Sequence, residues 1–214
     1  MPTALTEDEV IASLRRTAPV WRCVEAWLRA AQQCQVEDKA LVSLKSELRR
    51  VREDFALSLE AIPVQSEMES IAERARLDHI DRNSRRSLRL TIEATLDQVE
   101  ARLMSLRARY GFLAVQKHLS FPATQWDEAR REIEAELGRV EQSFQHADYR
   151  LLHEHYVGRV LSYSGAVGLA EGACEEALLR EKHAQDWKLF VTLLSVFGPI
   201  VLGVFGFLLT YFLM

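Results

Sequence analysis

"LFVTLLSVFGPIVLGVFGFLLTYFLM", residues 189–214, decides how the rest of the chain is read. Its 26 residues hold no charged side chain, whereas the preceding 188 are rich in Arg and Glu. A helix of that length rises roughly 39 Å, and about 20 apolar residues suffice to cross the hydrocarbon core of a bilayer. The segment is too long and too uniformly apolar for the core helix of a soluble domain. It reads as a transmembrane helix, long enough to span with some tilt.

The flanks set an orientation. Arg180, Lys182 and Lys188 precede the span and no basic residue lies after it, so the positive-inside rule leaves the N-terminal bulk in the cytoplasm. The opening "MPTALTEDEV" is acidic and has no apolar h-region, so no signal peptide is expected. The expectation is a tail-anchored, single-pass protein with its C-terminus across the bilayer. A net charge of −4 is too balanced to imply nucleic acid as a partner. Cys23, Cys34 and Cys174 are an odd set in a reducing compartment, which predicts free thiols.

Upstream, the sequence is all-α. Alternating β-branched runs are missing, and apolar residues recur at heptad spacing. Leu41, Leu44, Leu48, Val51, Phe55, Leu59 and Ile62 form one row; Ile92, Leu96, Val99, Leu103, Leu106, Tyr110 and Leu113 form a second. Trp126, Ile133, Leu137, Val140, Phe144, Ala147 and Leu151 make a third. After a phase slip near Leu152 the pattern resumes at Tyr156, Val160, Tyr163, Val167, Ala170, Cys174 and Ala177. Such rows belong to helices packed lengthwise, as in a bundle or coiled coil.

Thr6 with Glu9, Ser66 with Glu69 and Thr124 with Asp127 have the spacing of capping boxes, and Pro19, Pro63 and Pro122 stand near helix starts. These signals predict helices near 6–16, 19–34, 38–61, 66–80, 84–118 and 124–187. Residues 1–122 would form a bundle segment, 123–187 a long stalk helix packing on it, and 188–214 the membrane helix. Between Gly172 and Gly198 there is neither Gly nor Pro, so the stalk is expected to enter the membrane without a hinge.

Three sets of residues are candidates for function. Thr192, Ser195, Pro199, Gly203, Gly206 and Thr210 follow spacings of 3, 4, 4, 3 and 4, a small-residue face on which membrane helices associate closely. Stalk residues Val160, Tyr163, Gly165, Val167, Gly168, Gly172 and Cys174 are read as a packing surface. Each mid-helix Gly costs roughly 1 kcal/mol against Ala, which calls for a close crossing or a local break. Arg74, Arg76, Arg82, Arg85, Arg86 and Arg89 give the third set, which suits an anionic partner or lipid headgroups or, as a plainer reading, a solvated helix.

Catalytic chemistry is not visible. His146 and His153 would lie about 10.5 Å apart along a helix, too far to share one metal ion, and no cofactor is implied. Arg150 and His155 have the loose Arg-x4-His spacing of HEPN-type ribonucleases. That pair alone carries the reading of a membrane-tethered enzyme.

The stretch "AQDWKLFVTLLSVFGPIVLGVFG", 184–206, resembles the first transmembrane helix of CorA-type divalent-cation channels. Lys188, Thr192, Ser195, Phe197 and Pro199 fit the order seen there, and Phe205-Gly206 resembles the start of the family's aromatic-Gly-Met-Asn signature. Phe207 and Leu208 stand where Met and Asn would be, and no second membrane helix or N-terminal α/β domain is evident. The likeness covers about 25 of the 214 residues. It implies a stalk-and-membrane geometry and, carried further, an oligomeric channel or pore-forming effector. The main expectation is a membrane-tethered assembly or scaffold subunit that meets the lipid bilayer, further copies of itself, or another helical protein, and is not an enzyme.

Overall fold

A computed structural model describes residues 5–60, 67–142 and 148–213; at 38, 40, 67, 68, 123, 205–207, 210, 211 and 213 it describes the backbone alone. Among the described residues every regular element is helical.

Helix α1 spans Glu7–Gln33 and opens on the expected capping box. The Thr6 hydroxyl accepts the Glu9 N–H at 3.3 Å, and the Glu9 carboxylate accepts the Thr6 N–H at 2.8 Å. The break expected between 16 and 19 does not occur, because Pro19 lies inside α1. Val10, Leu14, Thr17, Val20, Val24, Trp27 and Ala31 stay on one buried face across the proline. Continuous burial outweighs the one backbone bond that proline forfeits. The helix ends with Gln35 at φ 62°, while the Val36 N–H donates to Ala31 and the Gln35 N–H to Gln32. This is a Schellman turn with Gln in the place usually taken by Gly.

Helix α2, Asp38–Glu60, returns antiparallel, and α3, Glu67–Tyr110, runs forward again. At the far end Leu5, Val10 and Leu14 meet Val51, Leu77 and Ile80; at the near end Ala31 and Val36 meet Leu41 beside Ala94. The 44 residues of α3 form a spine about 66 Å long. A break was expected at 81–83, yet Ile80, Ser84, Ser87, Leu88 and Thr91 hold one buried face through it. The Thr91 and Thr95 hydroxyls donate to carbonyls one turn back, each at 2.6 Å. The two threonines of this seam thus satisfy their own hydroxyls, whereas the buried Ser84 and Ser87 hydroxyls have no partner among the described residues.

Gly111, at φ 84°, ends α3, where one helix had been expected to continue to 118. A short helix α4, Phe112–His118, leads to α5, Ala123–Gln142. The predicted Thr124–Asp127 box is not the start of α5, which begins one residue earlier, behind Pro122. Ser66 and Pro63 lie outside the described residues. Helix α5 runs antiparallel to α3, with Arg130 bonded to Asp97 at 2.7 Å and to Glu100, and Arg89 at 3.4 Å from Glu141.

The single stalk helix expected over 123–187 is two helices. After α5, Asp148 and Tyr149 are non-helical; a π-helical turn comes next at Leu151–Tyr156, then α6 at Val157–Leu213. Helix α6 folds back along α5, with Arg159 paired to Glu132 and the Tyr163 hydroxyl donating to the Gln125 carbonyl at 3.4 Å. The fold-back lets Ile133, Leu137 and Val140 share one core with Leu152, Val160 and Val167. A straight helix would have left one of those rows in water. Asp148 starts the new segment by accepting the Arg150 N–H at 3.0 Å and its guanidinium at 2.7 Å. Those bonds hold the Asp148 carboxyl down at about 2.

The predicted rows are mostly buried, with instructive slips. Ser58 is buried in α2 while Leu59 is 53% exposed, because a 3.6-residue helix drifts about 20° per heptad from a strict seven-residue repeat. Cys23, Cys34 and Cys174 are buried free thiols, and burial pushes Cys23 up to about 12. Since the thiolate is the reactive form, the folded protein at pH 8 should resist iodoacetamide and react at all three sites once unfolded in urea. Rapid alkylation of Cys23 without denaturant would contradict this packing.

Candidate functional site: the anchored stalk and its apolar end

Helix α6 has three parts distinguished by their surroundings. From Val157 to Cys174 it is held by the bundle: Val160, Val167, Ala170 and Cys174 are buried, and the Tyr163 ring packs edge-on to Phe121 at 4.7 Å and Trp126 at 5.6 Å. Arg102 lies 3.3 Å from Glu171, while Arg109 at 3.4 Å and the Tyr110 hydroxyl at 3.3 Å hold Glu175. Residues 175–188 are then exposed on every side. From Leu189 onward α6 is apolar, and none of the segment that qualifies as a membrane span is buried. The helix continues unbroken through all three parts.

The start of α6 explains the phase slip. The turn at Leu151–Tyr156 is π-helical, so it takes more residues per turn and re-aims the helix beyond it. Leu152 is buried in place of Leu151, which is 48% exposed. The indole N–H of buried Trp27 donates to the Leu152 carbonyl at 2.9 Å. Trp27 was not singled out from the sequence, since nothing local links it to a residue 125 positions away.

The stalk candidates separate. Val160, Tyr163, Val167 and Cys174 contact the bundle; Gly165 and Gly172 do not, and an added Cβ at either would meet nothing within 4 Å. Gly168 faces Arg102, whose guanidinium would lie 3.6 Å from such a Cβ, an ordinary contact. Within this chain neither a break nor a close crossing accounts for the stalk glycines.

In the apolar part, the Thr192 hydroxyl donates to the Lys188 carbonyl and the Ser195 hydroxyl to the Thr192 carbonyl, each at 2.8 Å. Both polar groups are therefore satisfied on their own helix, as a lipid surround requires. Pro199 lies within α6 and withholds the N–H that would meet the Ser195 carbonyl. Cys174 and Thr192 are 18 residues apart, about five helical turns. The row Thr192, Ser195, Pro199 and Gly203 thus continues down the side of α6 that the bundle occupies. Gly206 and Thr210 extend it where the backbone alone is described.

The Arg set on α3 is not one free patch. Arg76 is paired with Glu73, Arg85 with Asp81, and Arg89 with Glu93 and Glu141. Arg82 and Arg86 are exposed and Arg74 is half-buried. Arg89 stands 21 residues before Tyr110, about 32 Å along α3, so the set occupies the N-terminal half of α3, away from the apolar segment. Arg150 is engaged by Asp148, and His155 packs against the Tyr156 ring at 5.1 Å. His146 lies outside the described residues. No family model, characterised protein or solved structure matches the chain.

Proposed function

We propose that this protein is a membrane-tethered scaffold: a cytoplasmic helical bundle fixed to a bilayer by the apolar end of α6, with no catalytic role. One observation carries the reading, the continuity of α6 from the buried Cys174 row through an exposed stalk into the apolar segment. A continuous helix transmits tilt and rotation, whereas a Gly- or Ser-rich tether would not. Trp187, stacked on Phe190 at 5.6 Å, and Lys188 stand at the boundary, the composition favoured at a membrane–water interface.

Within the bilayer, the row Thr192, Ser195, Pro199, Gly203, Gly206 and Thr210 is the face for association with another helix. Because the bundle lies on the same side, two copies cannot pair lengthwise along the whole of α6. A crossing near −40°, usual for small-residue faces, resolves this. Gly203 is 28 residues beyond Glu175, so helices crossing there stand roughly 30 Å apart at the bundle.

Gly203→Leu should disperse the assembly, measured as the mass of full-length protein in detergent by light scattering and as crosslinking yield in vesicles. An unchanged mass and yield would rule out this face.

A further inference from the structure

We infer that the turn between α3 and α4 docks on the headgroups of an anionic bilayer, the same membrane that α6 enters. The inference rests on the anchoring reading above. The turn is the end of the bundle nearest the apolar segment. Tyr110, just before it, bonds Glu175, in the last turn of α6 to touch the bundle. The other ends stop short of this level: Gln125, near the start of α5, is level with Tyr163, and Cys34, at the end of α1, lies beside Arg102 and Ser164.

The composition there is unlike the rest of the bundle. Residues 101–126 contain no Asp or Glu but include Arg102, Arg107, Arg109 and Lys117, in a protein of net charge −4. At the tip Phe112 is 54% and Leu113 82% exposed, and the Arg107 guanidinium lies over the Phe112 ring at 5.4 Å. Arg102 and Arg109 are paired with Glu171 and Glu175, while Arg107, over Phe112, and Lys117, one helical turn beyond Leu113, stand beside the apolar tip. Exposed apolar side chains with such cations match the two parts of a lipid interface, acyl boundary and anionic headgroup. Val115, opposite Leu113 on α4, is fully buried, so the short helix presents its apolar tip from a fixed base.

The distance is compatible. Fourteen residues separate Glu175 from Leu189, about 21 Å of helix, of which the headgroup layer fills roughly 5–8 Å. The tip lies about one helix diameter, 10 Å, to the side of the α6 axis. A tilt of about 35° toward α4, inside the usual range for membrane helices, brings it to within roughly 6 Å of the headgroups. Extended Arg and Lys side chains span that gap.

The test uses full-length protein in vesicles, with an environment-sensitive fluorophore on Leu113→Cys and, separately, on Val42→Cys in α2 as a distant reference. The native thiols are buried, so labelling is selective. In vesicles of phosphatidylcholine with phosphatidylserine, the 113 label should shift to the blue and be quenched by spin-labelled lipid, and the 42 label should do neither. Arg107→Gln and Lys117→Gln should each lower the docked-to-free ratio about fivefold.

A 113 label that stays water-exposed overturns the inference, and so does equal docking on pure phosphatidylcholine. A signal that vanishes on diluting the protein in lipid also overturns it, since a second copy would then be covering the tip. Alkaline carbonate extraction on the same vesicles separates the two readings. Protein that resists extraction with a wet 113 label fails this inference alone, whereas protein that is stripped off fails the anchoring itself.

Discussion

Trp27→Ala should bring the helical bundle close to unfolding. Removing a fully buried indole costs about 3–5 kcal/mol, and losing its hydrogen bond to the Leu152 carbonyl adds roughly 1 kcal/mol. Domains of this kind hold about 5–15 kcal/mol in total. Trp27 is 0% exposed and its N–H reaches that carbonyl at 2.9 Å, inside the π turn that aims α6. Trp27→Phe separates the two contributions, because it keeps most of the ring and loses the donor. It should lower stability by about 1–3 kcal/mol, read from urea unfolding of the full-length protein in mild detergent. A Phe variant as stable as the parent would mean that the π turn holds itself and that the indole contributes volume alone.

The second large effect is expected in the apolar end of α6. Val201→Arg combined with Val204→Arg places two guanidinium groups near the middle of the span, each at a cost of about 2.5–3.5 kcal/mol on insertion scales. Both side chains are exposed, at 57% and 54%, so the bundle has no contact to lose. The double variant should move from the carbonate-resistant to the soluble fraction while its bundle helices remain folded by circular dichroism. If it stays with the membrane, the apolar segment is not the anchor.

Much of this was legible along the chain. Heptad rows identified the buried faces of α2, α3, α5 and α6 because lengthwise helix packing repeats every seven residues. The Thr6–Glu9 box and the helical continuity from stalk to apolar end were equally visible, since capping and helix propensity are local. The errors fall where local signals were outvoted. Pro19 and the polar 81–83 stretch looked like breaks, but unbroken apolar faces carried α1 and α3 through them. The row ending at Leu113 looked like core until Gly111 turned the chain and left Leu113 the most exposed apolar residue at the tip.

The tip between α3 and α4 also had a sequence signal that periodicity ignores, the lack of any carboxylate from 101 to 126. Charge counted along the chain would have found that stretch; knowing which end of the bundle it occupies required the fold. The Arg-rich stretch 74–89 shows the converse. Its charge was conspicuous in sequence, yet in space Arg76, Arg85 and Arg89 are paired with carboxylates and the set lies on the N-terminal half of α3, away from the apolar segment.

By itself, then, the sequence determined the helical class, the apolar span and the side of each helix that seeks cover, because these depend on hydrophobic periodicity and length. Tertiary structure alone decided where α5 ends and α6 begins, that Trp27 clamps the turn between them, and that the small-residue row of α6 lies beneath the bundle. Those depend on contacts between residues up to 125 positions apart. No local window of the chain contains them.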